Sequence, residues 1–312
     1  MGKIAFVFPG QGSQKVGMGK EAFDASEAAR AVFEAADAAL GEPLSRLCFE
    51  GPEDDLKLTR NTQPAILTSS IAILRALGER PDVVAGHSLG EYAAHVCAGT
   101  FAFEDAVRTV RLRGELMQAA VPVGRGAMAA ILKLDRAPLE QICREVEAET
   151  GEVVEAVNYN SPGQIVIAGD ARAVEVASER MKAAGGRAMP LPVSAPFHCR
   201  LMKPAEEGLA PALAAVAFAD PTIPVYVNVD AAPVTSGAAA RDALVRQVSR
   251  SVRWEDTVVR MKEEGVTVFV EIGTGNALTG MIKRTVDGVK CLSVQKPDDF
   301  AAAKAAIAEA RA

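Results

Sequence analysis

Cysteine is scarce in this 312-residue chain and falls in no pattern: Cys48, Cys97, Cys143, Cys199 and Cys291 are odd in number and never spaced C-x-x-C. Neither a closed disulfide framework nor a cysteine-built zinc site is encoded, and a reducing cytoplasm is the expected setting. No run approaches the ~18 apolar residues of a membrane span, and MGKIAFVFPG holds too few apolar residues before Pro9 for a signal-peptide core. Lys and Arg, 34 against 40 Asp and Glu, form no block and leave a net charge of -6, which argues against nucleic-acid binding by counterion release. Histidine occurs only three times, at His87, His95 and His198.

What is present is ordinary globular composition, 49% hydrophobic and 24% charged, on a chain longer than one core comfortably holds. Residues 3–8 (KIAFVF) and 82–85 (DVVA) are apolar without alternation, as strands covered on both faces are; 223–229, 266–272 and 289–294 repeat the pattern. Between them 62–77 reads as a helix with Thr62 as N-cap and Pro64 in its first turn. Residues 126–194 change rhythm to β-α-β-β-α-β, with helices near 138–149 and 171–184. The expectation is a large α/β-hydrolase-like domain with a mainly parallel sheet (1–124 and 196–312) carrying an inserted ferredoxin-like domain (125–195). Its ligand is expected in the cleft between them.

The stretch VVAGHSLGEYAAH (83–95) holds a G-x-S-x-G at a strand-to-helix junction, the elbow that presents a serine oxygen at a helix start. The bland alternative makes Ser88 a mere cap. A nucleophilic serine needs a base. His87 adjoins Ser88 and points elsewhere, and His95 lies about two helical turns on. His198, in SAPFHC at the second domain crossing, remains as the candidate. Its neighbour Cys199 is read as a small buried hydrophobe. Arg113 interrupts the helical stripe Ala106, Val110, Met117, while Arg108, Arg111 and Glu115 form a solvated face. A cation in that stripe needs an anion, either an internal carboxylate or one on a bound substrate, and periodicity leaves both open. The loop PGQGSQKVGMG fails the dinucleotide pattern at Lys15, and no Walker motif follows. Lying after the first strand, it is placed to lend the Gln11 N–H to an oxyanion hole.

FVFPGQGSQ (6–14), TQPA (62–65), GHSLGEY (86–92), RLRGELMQ (111–118), GAMAAI (126–131), NSPGQ (160–164), PFHC (196–199) and EIGTGNALTG (271–280) run nearly end to end. Through them the chain resembles the malonyl-CoA:acyl-carrier-protein transacylases of bacterial fatty-acid synthesis. The resemblance implies Ser88 as nucleophile, His198 as base, the Gln11 and Leu89 amides as oxyanion hole, and Gln247 as the residue whose main-chain carbonyl orients the histidine. It further implies that Arg113 holds the malonyl carboxylate and that Gln63, Met117 and Phe197 line the substrate, although family members often carry Ser where Phe197 stands. No metal or cofactor is implied, coenzyme A thioester being a substrate. The implied partner is acyl carrier protein, bound transiently by a monomer away from membranes. Acidic carriers call for a basic patch, and Lys283 and Arg284 offer one, against the plainer reading of a solvated helix end. An α/β-hydrolase-type serine esterase or thioesterase, a polyketide-pathway acyltransferase with another donor, and a non-catalytic carrier-binding scaffold are the alternatives. The hydrolase expects its histidine late in the chain, and none follows His198.

Overall fold

Apolar runs without alternation become the interior of a sheet. The computed structural model describes residues 2–193 and 195–312; Ser194, in the second expected domain crossing, lies outside them. Ten strands are described: β1 (Lys3–Phe8), β2 (Val83–Gly86), β3 (Gly126–Leu132), β4 (Val154–Ser161), β5 (Gln164–Asp170), β6 (Arg187–Pro190), β7 (Val225–Val227), β8 (Ala232–Val234), β9 (Val266–Ile272) and β10 (Lys290–Val294). Six make one sheet in the order β10-β9-β1-β2-β7-β8, parallel except for the β7–β8 hairpin at its edge. The architecture is mixed α/β. Val83, Val84, Ala85 and all of Ile4–Phe8 are buried, as central strands between helical layers must be.

Two details differ from expectation. The 223–229 run yields only a three-residue strand, because Pro224 has no N–H for a ladder and contributes only its carbonyl, which accepts from Val84 N at 3.0 Å. The helix expected from Thr62 starts at Thr59: Leu58 O already accepts from the Asn61 and Thr62 amides, so the helix begins a turn earlier. Thr62 is therefore interior and buried, its hydroxyl donating to Leu56 O at 2.6 Å, and Pro64 sits inside the helix.

The other four strands form an antiparallel sheet in the order β4-β5-β3-β6, with the β-α-β-β-α-β succession completed by helices Arg136–Thr150 and Ala171–Ala183. Alternation along these strands serves two cores. Ala129, Ile131, Ile165 and Ile167 pack with Leu139, Val146, Ala177 and Met181 of its own helices. Met128, Val166 and Ala168, one residue out of phase, join the main core. The second sheet is also tied by backbone to the segment just before helix Trp254–Glu263: Tyr159 N donates to Val252 O at 2.9 Å and Val252 N to Val157 O at 2.8 Å.

Candidate active site

Parallel strand β2 ends at Gly86 and the helix Gly90–Cys97 begins four residues later, so the chain reverses over His87, Ser88 and Leu89. The turn is tight enough to require both glycines. A Cβ on Gly86 would lie 1.9 Å from the Gly90 carbonyl carbon, and one on Gly90 would lie 2.0 Å from Phe8 O. Gly10, in the loop after β1, approaches as closely: its Cβ would stand 2.4 Å from His87 O. Ser88 takes φ 51° to make the turn, a left-handed conformation costing a non-glycine residue about 1–3 kcal/mol. Asn228 offsets part of that cost, accepting from Ser88 N at 2.7 Å and donating to Gly86 O at 2.7 Å.

His198 also has positive φ, 64°, and its ring reaches Ser88: Nε2 lies 2.6 Å from Oγ. The opposite nitrogen, Nδ1, lies 2.9 Å from the main-chain carbonyl of Gln247. A carbonyl can only accept, so Nδ1 carries the proton and Nε2 presents a lone pair to the serine hydroxyl. Burial, reinforced by the Arg113 cation, pushes the pKa of His198 from 6.5 down to about 3, so the imidazole is neutral near pH 7. The other histidines are engaged elsewhere: His87 Nε2 with Asn160 Oδ1 at 2.8 Å, His95 Nδ1 with Thr100 Oγ1 at 3.3 Å. The Cys199 thiol donates to Pro196 O at 3.0 Å, and burial pushes its pKa up to about 12, which removes it as a nucleophile.

Two amides near the elbow are unspent. Among the described residues neither Gln11 N nor Leu89 N donates to any acceptor, while the amides around them, Gly12, Ser13, Ser88 and Gly90, all do. Arg113 stands on the buried stripe of helix Phe103–Ala119, 1% exposed, with Ala106, Val110 and Met117. Its Nη1 donates to Gln63 Oε1 at 2.8 Å, and its Nη2 to Gln247 Oε1 at 2.9 Å and to Ser88 Oγ at 3.3 Å. No carboxylate among the described residues comes within ion-pair distance of it, so no internal carboxylate contacts the guanidinium directly. Burial lowers its pKa. Arg111, expected on the solvated face, is instead half-buried and donates to Asn61 Oδ1 at 2.6 Å and to Glu42.

Gln11, Gln63, Ser88, Leu89, Arg113, Met117, Phe197 and His198 thus meet around one cavity of about 110 Å³. A larger cavity, about 500 Å³, touches His198 but neither Ser88 nor Arg113. A family model described as "Acyl transferase domain" matches residues 5–304. The chain belongs to the acyl transferase domain family. Within it, the chain is 50% identical over 308 residues to the malonyl CoA-acyl carrier protein transacylase of Escherichia coli K12, covering 97% of this chain and 99% of that one. An acyl carrier protein S-malonyltransferase from Vibrio cholerae superposes with a TM-score of 0.94 at 46% identity, over 96% of this chain and 99% of that one. A malonyl-transacylase solved in complex with a type II polyketide synthase acyl-carrier protein is 46% identical, TM-score 0.93, over 96% and 98%.

Sequence reasoning missed three parts of this acyl transferase site. Asn228, fully buried at the end of β7, braces the elbow; the only signal was a polar residue closing an apolar run. Glu91, fully buried in the elbow helix, accepts from Asn228 N at 2.8 Å and Gln247 Nε2 at 2.9 Å. The side chain of Gln247, beyond its carbonyl, also donates to Ser88 O at 2.9 Å. The expected docking pair divides. Lys283 is exposed in the last turn of helix Ala277–Thr285, whereas Arg284 spends its guanidinium on Ser161 Oγ at 3.2 Å and Gln164 Oε1 at 2.7 Å of the second sheet.

Proposed function

We propose that the protein transfers the malonyl group of malonyl-CoA to the phosphopantetheine thiol of an acyl carrier protein through an ester on Ser88. His198 Nε2 takes the hydroxyl proton as Oγ attacks the thioester carbonyl, the charge developing on that oxygen falls to the Gln11 and Leu89 amides, and Gln247 O steadies the imidazolium. The carbon–sulfur bond breaks and His198 returns the proton to the departing coenzyme A thiolate. In the second half the carrier thiol gives its proton to His198, attacks the ester carbonyl, and Ser88 leaves with the proton back on Oγ. The scheme is ping-pong and needs no metal or cofactor. Gln63, Met117 and Phe197 shape the acyl end of the small cavity, which admits a short acyl group and little water.

One observation carries the malonyl assignment: a buried guanidinium with no carboxylate of its own reaches to 3.3 Å of the nucleophilic oxygen. Lys283, exposed and without an acidic partner among the described residues, supplies local positive charge for the carrier. Intact-mass analysis after incubation with malonyl-CoA alone tests the reading. A single malonyl adduct is expected on the wild type and none on Ser88→Ala. An adduct on Ser88→Ala, or equal labelling of the wild type by acetyl-CoA, refutes it.

A further inference from the structure

A buried guanidinium is costly unless a counter-charge lies close by, yet the direct partners of Arg113 are the neutral oxygens of Gln63, Gln247 and Ser88 and, 5.5 Å away, the face of the Tyr92 ring. The missing charge is one amide away. Gln247 turns its oxygen to Arg113 Nη2, 2.9 Å, and its nitrogen to Glu91 Oε2, 2.9 Å, so the amide dipole lies along the line from cation to anion. Glu91 is itself fully buried; Oε2 takes a second bond from Asn228 N at 2.8 Å, while Oε1 has no hydrogen-bond partner and faces His95 Nε2 at 3.8 Å.

We propose that Glu91 is the resident counter-ion of Arg113, held at one amide's distance, and that this spacing sets how tightly the site grips the carboxylate of an acyl donor. The inference rests on the reading of Arg113 as that carboxylate's partner. A carboxylate in direct contact would occupy the donors and repel an incoming anion. With none nearby, the cation would hold the donor's carboxylate in ground state and transition state alike, tightening KM without speeding transfer. Glu91 lines no part of the small cavity and does not reach Ser88 Oγ, so it is a positioning residue acting through Gln247. That same Gln247 holds His198 by its carbonyl, so the base and the clamp share one support.

Glu91→Gln is the direct test, because an amide oxygen can replace Oε2 as acceptor and the amide nitrogen would stand where Oε1 faces His95 Nε2. Calorimetric titration with malonate reads the clamp without turnover. Malonate is expected to bind Glu91→Gln roughly tenfold more tightly than wild type, the size expected for one charge removed several ångströms away at an effective dielectric near 20. The KM for malonyl-CoA should fall with it, and that for acetyl-CoA should shift less than about twofold. Adding Gln63→Glu to Glu91→Gln puts a carboxylate on the other amide partner of Arg113 and should return malonate affinity to the wild-type value or below. If Glu91→Gln fails to fold alone, the double variant carries the test, and its failure to fold, or a malonate affinity above the wild-type value, overturns the proposal. Unchanged or weaker malonate binding by Glu91→Gln, or equal losses with both donors, overturns it too. Wild type that binds malonate but accepts no acyl group from malonyl-CoA would defeat the transferase reading alone.

Discussion

Ser88 and His198 are both held at positive φ, so the dyad is placed by backbone that the surrounding bonds must enforce. The depressed pKa of His198 has consequences for folding and for catalysis. A histidine neutral when folded contributes stability that is complete above its ordinary 6.5 and is lost as pH falls from there toward about 3, because the unfolded chain takes up the proton first. For catalysis, Nε2 stays an acceptor throughout that window. Quench-flow acylation by malonyl-CoA should therefore show no acid limb near pH 6.5 and hold its rate to about pH 5; a limb at the ordinary imidazole value would mean a solvated, ordinary histidine. Arg113→Ala should cost malonyl transfer about ten- to a hundredfold more than acetyl transfer, the worth of a charge-assisted pair. Equal losses in kcat/KM for the two donors would make the arginine structural.

The elbow acts as one element, strand β2, three residues and a helix, and its stability depends on the absence of two side chains. Gly86→Ala drives a methyl into the Gly90 backbone, which cannot move aside as the end of a flexible side chain can. We expect a loss of about 1–3 kcal/mol or more, read as a lower denaturant midpoint, together with slower acylation because Ser88 shifts. Unaltered stability and rate would mean that the turn is looser than these contacts imply. Asn228 explains why the strained serine stays put: one side chain satisfies both the Ser88 amide and the Gly86 carbonyl, bridging two turn residues from the neighbouring strand.

The two sheets meet at the site. His87, next to Ser88, bonds Asn160 of β4, and the adjacent Ser161 accepts from Arg284. Arg284 thus joins helix Ala277–Thr285 to the second sheet, and reversing its charge would disturb that contact as well as any docking. Lys283→Glu isolates the carrier. Its KM for carrier protein should rise severalfold and lose part of its salt dependence, with the effect confined to the carrier half-reaction, since exposed charges mainly steer association. Normal transfer to carrier at low and high ionic strength would place the docking surface elsewhere. No helix among the described residues is long and apolar enough to cross a membrane.

Much of this was local and therefore legible in the sequence. Unbroken apolar runs marked β1, β2, β9 and β10, the change to a β-α-β-β-α-β rhythm marked the second sheet, and three histidines left His198 as the sole candidate base. Periodicity put Arg113 on a buried stripe and went no further, because a period says which face a residue occupies and nothing of what stands opposite. Its partners come from three distant segments: Gln63 lies 50 residues away, Ser88 25 and Gln247 134. The same holds for Asn228 and Ser88, 140 residues apart, and for Glu91 and Gln247, 156 apart. Spacing in sequence carries no signal for bonds of that kind. Which element faces which was decided when the sheets packed, and only then did a buried cation acquire two amides in place of a carboxylate.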